Sequence, residues 1–108
     1  MAYDEKLAAR VRQALASTPG IVEKNMFGGV AFLMRGNMLV GVHKDELIAR
    51  IAPDETGSAL RDSNARIFDI TGRPMKGWIL VRPSGVVGAK LGKWIERART
   101  FVETLPAK

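Results

Sequence analysis

Apolar residues at Leu7, Val11, Ala14 and Leu15 recur at helical spacing, while Lys6, Arg10, Gln13 and Ser17 fall on another stripe. This predicts an amphipathic first helix within residues 3–17, ended by Pro19-Gly20. Residues 21–27 then read as a strand, and Gly28-Gly29 forms a break, bulge or turn into the next run.

The sharpest local signal is Gly36-Asn37 between the apolar runs 30–34 and 38–42. Glycine at the first central position suits a two-residue type II′ turn, so a hairpin is expected. If Arg35 pairs with Met38, Leu33 faces Val40, Phe32 faces Gly41 and Ala31 faces Val42, with the aromatic ring covering the glycine. Both faces of that hairpin come out apolar: Val30, Phe32, Met34 and Leu39 on one, and Ala31, Leu33, Met38, Val40 and Val42 on the other. Half-exposed sheets do not look like this. Either helices cover both faces, or a second copy of the chain closes one of them.

His43-Lys44-Asp45-Glu46 makes the next turn, and residues 47–52 return as another strand. Pro53-Asp54-Glu55 opens a short helix through about Arg61, with proline and acidic residues where a helix amino terminus favours them. Residues 66–70 read as a strand, Thr71-Gly72-Arg73-Pro74 as a loop, and residues 77–82 as a buried strand punctuated by Pro83-Ser84-Gly85. From about Val87, Leu91, Trp94, Ile95, Ala98, Val102 and Leu105 recur at helical spacing, so a last helix docks one face on the sheet. The expectation is an α+β fold: an antiparallel sheet of about five strands flanked by an N-terminal, a short middle and a C-terminal helix.

Composition narrows the function classes. A chain of 108 residues, 46% hydrophobic and 26% charged, buries roughly two-thirds of its unfolded surface, so one domain spanning 1–108 is expected. Seventeen Lys and Arg against eleven Asp and Glu give +6 at pH 7, which suits a polyanionic partner but also a merely solvated basic surface. There is no cysteine, so disulfides and thiolate metal sites are excluded. The start Met1-Ala2-Tyr3-Asp4-Glu5-Lys6 lacks a secretory pattern, making the cytoplasm the expected compartment. No apolar run suggests a membrane span, and Lys44-Asp45-Glu46-Leu47 is internal and cannot serve as a retention signal.

An ordered set of short elements carries a family likeness: Met26-Phe27-Gly28-Gly29 before a hairpin, Gly41-Val42, Leu47-Ile48-Ala49-Arg50, Gly72-Arg73-Pro74-Met75-Lys76-Gly77-Trp78, and Trp94 in the terminal helix. Together they resemble the amino-terminal domain of the TfoX/Sxy family, over nearly the whole chain. The resemblance implies an antiparallel sheet flanked by helices and kinship with bacterial regulators of natural competence. Full-length regulators carry a second, helical domain after this one, which these 108 residues do not include. For a stand-alone copy three roles stay open: action through partners, weak nucleic-acid binding by itself, or an activity the family name does not describe.

The tempting chemical motifs are weak. Gly88-Ala89-Lys90-Leu91-Gly92-Lys93 resembles a phosphate loop, but that motif needs four residues between its glycines and a hydroxyl where Trp94 stands. Glycines easing a helix start against the sheet explain it better. His43, the single histidine, reads as an exposed turn residue, and Asp45 and Glu46 as solvated neighbours, because neither a metal site nor a general base is assembled around them. Met26, Met34, Met38 and Met75 suit core packing or an adaptable surface. Arg73 and Lys76 flank Pro74-Met75 in what reads as a structural turn.

Lys90, Lys93 and Arg97 share one side of the last helix, with Lys76 and Arg82 nearby if the preceding strand is adjacent. Such a basic face can contact phosphates. No helix-turn-helix or zinc module is present to read a groove. The sequence thus points to a non-enzymatic regulatory and interaction domain, forming a homodimer, with no catalytic residue, metal or cofactor. A weak, sequence-nonspecific nucleic-acid binder is the alternative, and a small-molecule-binding domain or enzyme the second.

Overall fold

The computed structural model describes residues 3–26, 28–69, 72 and 75–107, and within them six strands form one antiparallel sheet in the order β1-β2-β3-β4-β6-β5. The strands are β1 Ile21–Met26, β2 Gly29–Met34, β3 Asn37–His43, β4 Glu46–Arg50, β5 Ala65–Phe68 and β6 Met75–Val81. The first four form a meander, and β6 returns between β4 and the edge strand β5. The helices are α1 Glu5–Ala14, the short α2 Thr56–Ala59 and α3 Ala89–Val102.

The amino end of α1 is fixed by Asp4, whose carboxylate accepts from the backbone N–H groups of Lys6 (2.9 Å) and Leu7 (3.1 Å). Two donors that the first turn leaves unpaired are satisfied in this way. Its buried stripe is Leu7, Ala8, Val11 and Leu15, whereas Ala14, expected inside, is exposed. The stripe centre lies between Leu7 and Ala8, which swings Ala14 to the flank. The middle helix is shorter than expected: a 3-10 turn over Pro53–Glu55 precedes α2, which ends at Ala59. In α3 the inward set is Leu91, Trp94, Ile95, Ala98 and Val102, as the spacing predicts, with Leu105 half-buried beyond its end.

The β2–β3 hairpin departs from the expected register. Met34 pairs with Asn37, so the turn residues are Arg35 and Gly36, both with positive φ (52° and 83°). Positive φ at both central positions is the signature of a type I′ turn. Asn37 is unavailable to the turn because it is buried and its side-chain amide donates to the Pro106 carbonyl at 2.9 Å. A bulge then leaves Leu39 unopposed, and beyond it Phe32 pairs with Val40, Ala31 with Gly41 and Val30 with Val42. Phe32 and Val40 therefore share a face. The glycine at 41 is covered by the Met38 methyl rather than by Phe32, for a Cβ there would meet Met38 Cε at 2.7 Å.

This register sorts the sheet into two faces. Phe32, Val40, Ala49, Ile79 and Ile67 are opposed strand by strand on the first, as are Val30, Val42, Leu47, Val81 and Ala65. These residues except Ile67, with Met34, Leu39 and the inward residues of all three helices, make the main core. α3 lies against β3 and β4, α1 against β3 and α3, and α2 against β6. The second cluster, Ala31, Met38, Ile48, Phe68 and Leu80 with Met26, Leu33, Met75 and Trp78 packed on it, consists of strand residues alone among those described.

Candidate interaction surfaces

Of the five basic residues singled out in the sequence, the structure gathers three. Lys90, Lys93 and Arg97 line one cleft of about 300 Å³ with Trp94, Asp62 and Gly85. Arg97 is already engaged there: its guanidinium donates to a Glu55 carboxylate oxygen at 3.0 Å and to the Ser58 hydroxyl at 3.2 Å, and lies 5.6 Å from the Trp94 ring centroid. Arg82 donates to the Ser63 carbonyl at 2.9 Å, in the loop that contributes Asp62 to the cleft. Lys76 is exposed near the opposite end of β6, separated from Arg82 by roughly 15–20 Å of strand, and so does not join them. The lysines alone are uncommitted cations.

The residues of the family likeness hold the sheet together. Gly28 (φ 72°) turns between β1 and β2, and a Cβ on Gly29 would stand 2.0 Å from the Val42 carbonyl oxygen. Gly77 (φ 83°) lets the swollen β6 approach the chain after β4: its carbonyl accepts from Ile51 N–H at 2.7 Å and its own N–H donates to the Thr56 hydroxyl at 2.8 Å. Gly72 is exposed, Met26, Met75 and Trp78 are half-buried on the second cluster, and Trp94 is buried in the main core. Phe27, Arg73 and Pro74 lie outside the described residues. Of the expected strand over 66–70, Ile70 also lies outside them, as does Thr71 of the loop that follows.

The second face is legible row by row, because directly opposed residues in antiparallel strands share a side. One row runs Lys24, Ala31, Gly41, Ile48, Leu80, Arg66, and the neighbouring one includes the opposed pairs Val22–Leu33, Leu33–Met38 and Arg50–Trp78. The centre is apolar and the ends are basic. Arg66 is neutralised: its guanidinium donates to both Glu46 carboxylate oxygens, at 2.7 and 3.3 Å, and approaches Asp69 at 3.6 Å. The hydrogen bond to Glu46 holds Arg66 above its ordinary pKa. Glu46, read from sequence as a solvated turn residue, is in fact largely buried, since it opens β4 opposite His43. His43 is likewise half-buried in β3 rather than exposed.

Arg50 is the residue that sequence reasoning missed. Its guanidinium carbon lies 4.9 Å from the Trp78 ring centroid and 5.8 Å from that of Phe101, and burial pushes its pKa down. Among the described residues it has no hydrogen-bond or ion-pair partner. The signal was hidden because β4 pairs with β6 across an intervening α2 and β5, so nothing local puts Arg50 beside Trp78.

Elsewhere, a cleft of about 430 Å³ is lined by Ser17, Thr18, Met34, Arg35, Arg99 and Glu103. Both arginines spend themselves on Glu103, Arg35 donating to its carbonyl at 2.8 Å and Arg99 to its carboxylate at 3.0 Å. Among the described residues no group of three or more His, Asp or Glu is placed to hold a metal, and no buried side-chain polar atom lacks a partner. No helix among them is long and apolar enough to cross a membrane.

A six-stranded antiparallel sheet with helices packed on one side, and glycines fixing its bends, defines an α+β domain. The TfoX N-terminal domain model matches residues 13–101, and the chain belongs to that family. No curated protein matches the chain, and no solved structure does.

Proposed function

We propose that the chain is a non-enzymatic regulatory domain that acts in the cytoplasm through protein partners or self-association. What supports this is the unequal treatment of the two sheet faces: all three helices pack on one, while the other keeps half-buried Met26, Leu33, Met75 and Trp78 among charged neighbours. Affinity capture from extract of the native cell, using the intact chain, tests the reading together with transcript profiling of a deletion strain. A specific retained protein and a changed transcript set are expected. Nothing retained and no transcript change would overturn it.

The cleft beside Lys90 and Lys93 favours a second reading, in which the domain touches nucleic-acid phosphates directly. These are point charges on one helix, so they supply attraction without base readout.

A further inference from the structure

We propose that the helix-free face of the sheet is a docking surface for an acidic amphipathic segment of another protein, whose carboxylates meet Arg50 and Lys24 and whose apolar side chains lie on Leu33, Met26 and Trp78. It rests on the reading that this domain works through protein contacts.

Arg50 carries the argument. A guanidinium presents five donors in a fixed fork that fits a carboxylate. Here, at the end of β4, the fork lies 4.9 Å from the Trp78 ring of this face and 5.8 Å from the Phe101 ring at the carboxy end of α3, so Arg50 marks the rim of the face beside that helix. Burial already costs the cation some hydration, as its depressed pKa records, and no acceptor among the described residues compensates. A carboxylate arriving from outside would find a donor set ordered in advance, which lowers the entropy lost on binding. Lys24, exposed on β1 across the same face, is a second cation without an ion pair among the described residues.

Charge also chooses the occupant. A two-fold contact between copies needs a self-complementary patch. This face offers Arg50 and Lys24 unpaired, while Glu46 and Asp69 beside it are both engaged by Arg66. On this face a second copy therefore brings more cations and, among the described residues, no unspent carboxylate, and the net charge of +6 adds to the repulsion. A nucleic acid would supply anions, but it would leave Val22, Leu33 and Met26 facing polar backbone. A chain segment with acids on one side and apolar residues on the other satisfies both halves of the surface, in the manner of helices that seat in apolar grooves.

The probe is a fluorescently labelled synthetic helix of about 15 residues, roughly four turns, with Glu on one face and Leu and Phe on the other; its control carries Gln for every Glu. Fluorescence anisotropy should show saturable binding of the Glu peptide, weakened about tenfold by Arg50→Gln and further by adding Lys24→Glu, with the Gln peptide failing to bind. Circular dichroism checks that each variant is folded, and Lys24→Glu alone carries the test if Arg50→Gln does not fold. Equal binding of the Gln peptide, undiminished binding by the folded variants, or no binding up to about 1 mM overturns the proposal. Two other results do so as well: a dimer in sedimentation that Arg50→Gln dissolves, which assigns the face to a second copy, and displacement of the peptide by oligothymidylate, which assigns it to nucleic acid. Capture of one and the same partner from extract by parent and Arg50→Gln alike would remove the docking surface yet leave the regulatory reading standing.

Discussion

At the scale of single residues, Trp94 and Glu23 show how differently side chains contribute. Trp94 is only 6% exposed and packs in the main core, with Arg97 over its ring. Trp94→Ala should cost about 3–5 kcal/mol, because truncation loses transfer energy and leaves a cavity; urea denaturation reads this as a lower midpoint, and an unchanged midpoint would make α3 peripheral. Glu23 sits on the sheet edge, where Arg12 donates to its two carboxylate oxygens at 2.8 Å each. That hydrogen bonding lowers the Glu23 pKa, against a smaller opposing effect of burial. A carboxyl whose folded pKa is depressed adds stability above its unfolded value and loses it as pH falls through the folded one. The contribution is therefore present above about pH 4.5 and gone well below it. Since both partners are substantially exposed (52% and 37%), solvent screening limits the pair to about 0.5 kcal/mol. Glu23→Gln should lower the melting temperature slightly at pH 7, by an amount that shrinks as pH falls below about 4.5; a loss that does not shrink on acidification would mean the effect is not ionic.

At the scale of elements, glycines set where strands bend. Gly77 combines positive φ with a close approach, because an added Cβ would lie 2.7 Å from the Ile51 carbonyl oxygen. Neither that backbone atom nor the left-handed conformation can yield cheaply, so Gly77→Ala should cost more than about 2 kcal/mol. By contrast Gly92→Ala, on the exposed side of α3 with open space around it, should stabilise by about 0.5–1 kcal/mol. A paired denaturation series checks both signs, and a neutral Gly77→Ala would dismiss the strained bend. The same elements show what sequence can convey. α3 and its inward residues were legible because a long helix repeats its pattern several times. The alternation of β2 was legible too, yet Val40 and Val42 were placed on the wrong face. Asn37 looks like a turn residue but is spent on the Pro106 carbonyl, and the Leu39 bulge shifts the parity of everything after it. Both causes are tertiary. The basic cleft was half legible for a related reason: helical spacing aligned Lys90, Lys93 and Arg97, but could not foretell that Glu55 would take the arginine.

At the scale of the whole molecule, cations are numerous but differently committed, and this decides what the chain can do with a polyanion. Arg12, Arg66, Arg97 and Arg99 are held in ion pairs, and Arg10, Arg35 and Arg82 donate to backbone carbonyls. Around the α3 cleft the uncommitted charges are Lys90 and Lys93. Phosphate contact of this kind releases counterions, so the logarithm of the association constant should fall with log salt by about 0.9 for each lysine engaged. Binding to duplex DNA should accordingly be weak, with a slope near −2 in log-log form, and alike for any sequence, since no element is placed to hold side chains against base edges. Reversing both charges with Lys90→Glu and Lys93→Glu should abolish the binding, and either single change should remove about half the slope. Arg97 is left out of this series because its reversal would set a carboxylate against Glu55 and remove the hydrogen bonds that tie α3 to Glu55 and Ser58. Electrophoretic mobility or anisotropy at graded salt measures the outcome. One duplex held far more tightly than its scrambled counterpart, or a double variant that binds as well as the parent, would remove the α3 cleft as the contact and move the search to the opposite face, where Arg50 and Lys24 have no ion pair among the described residues.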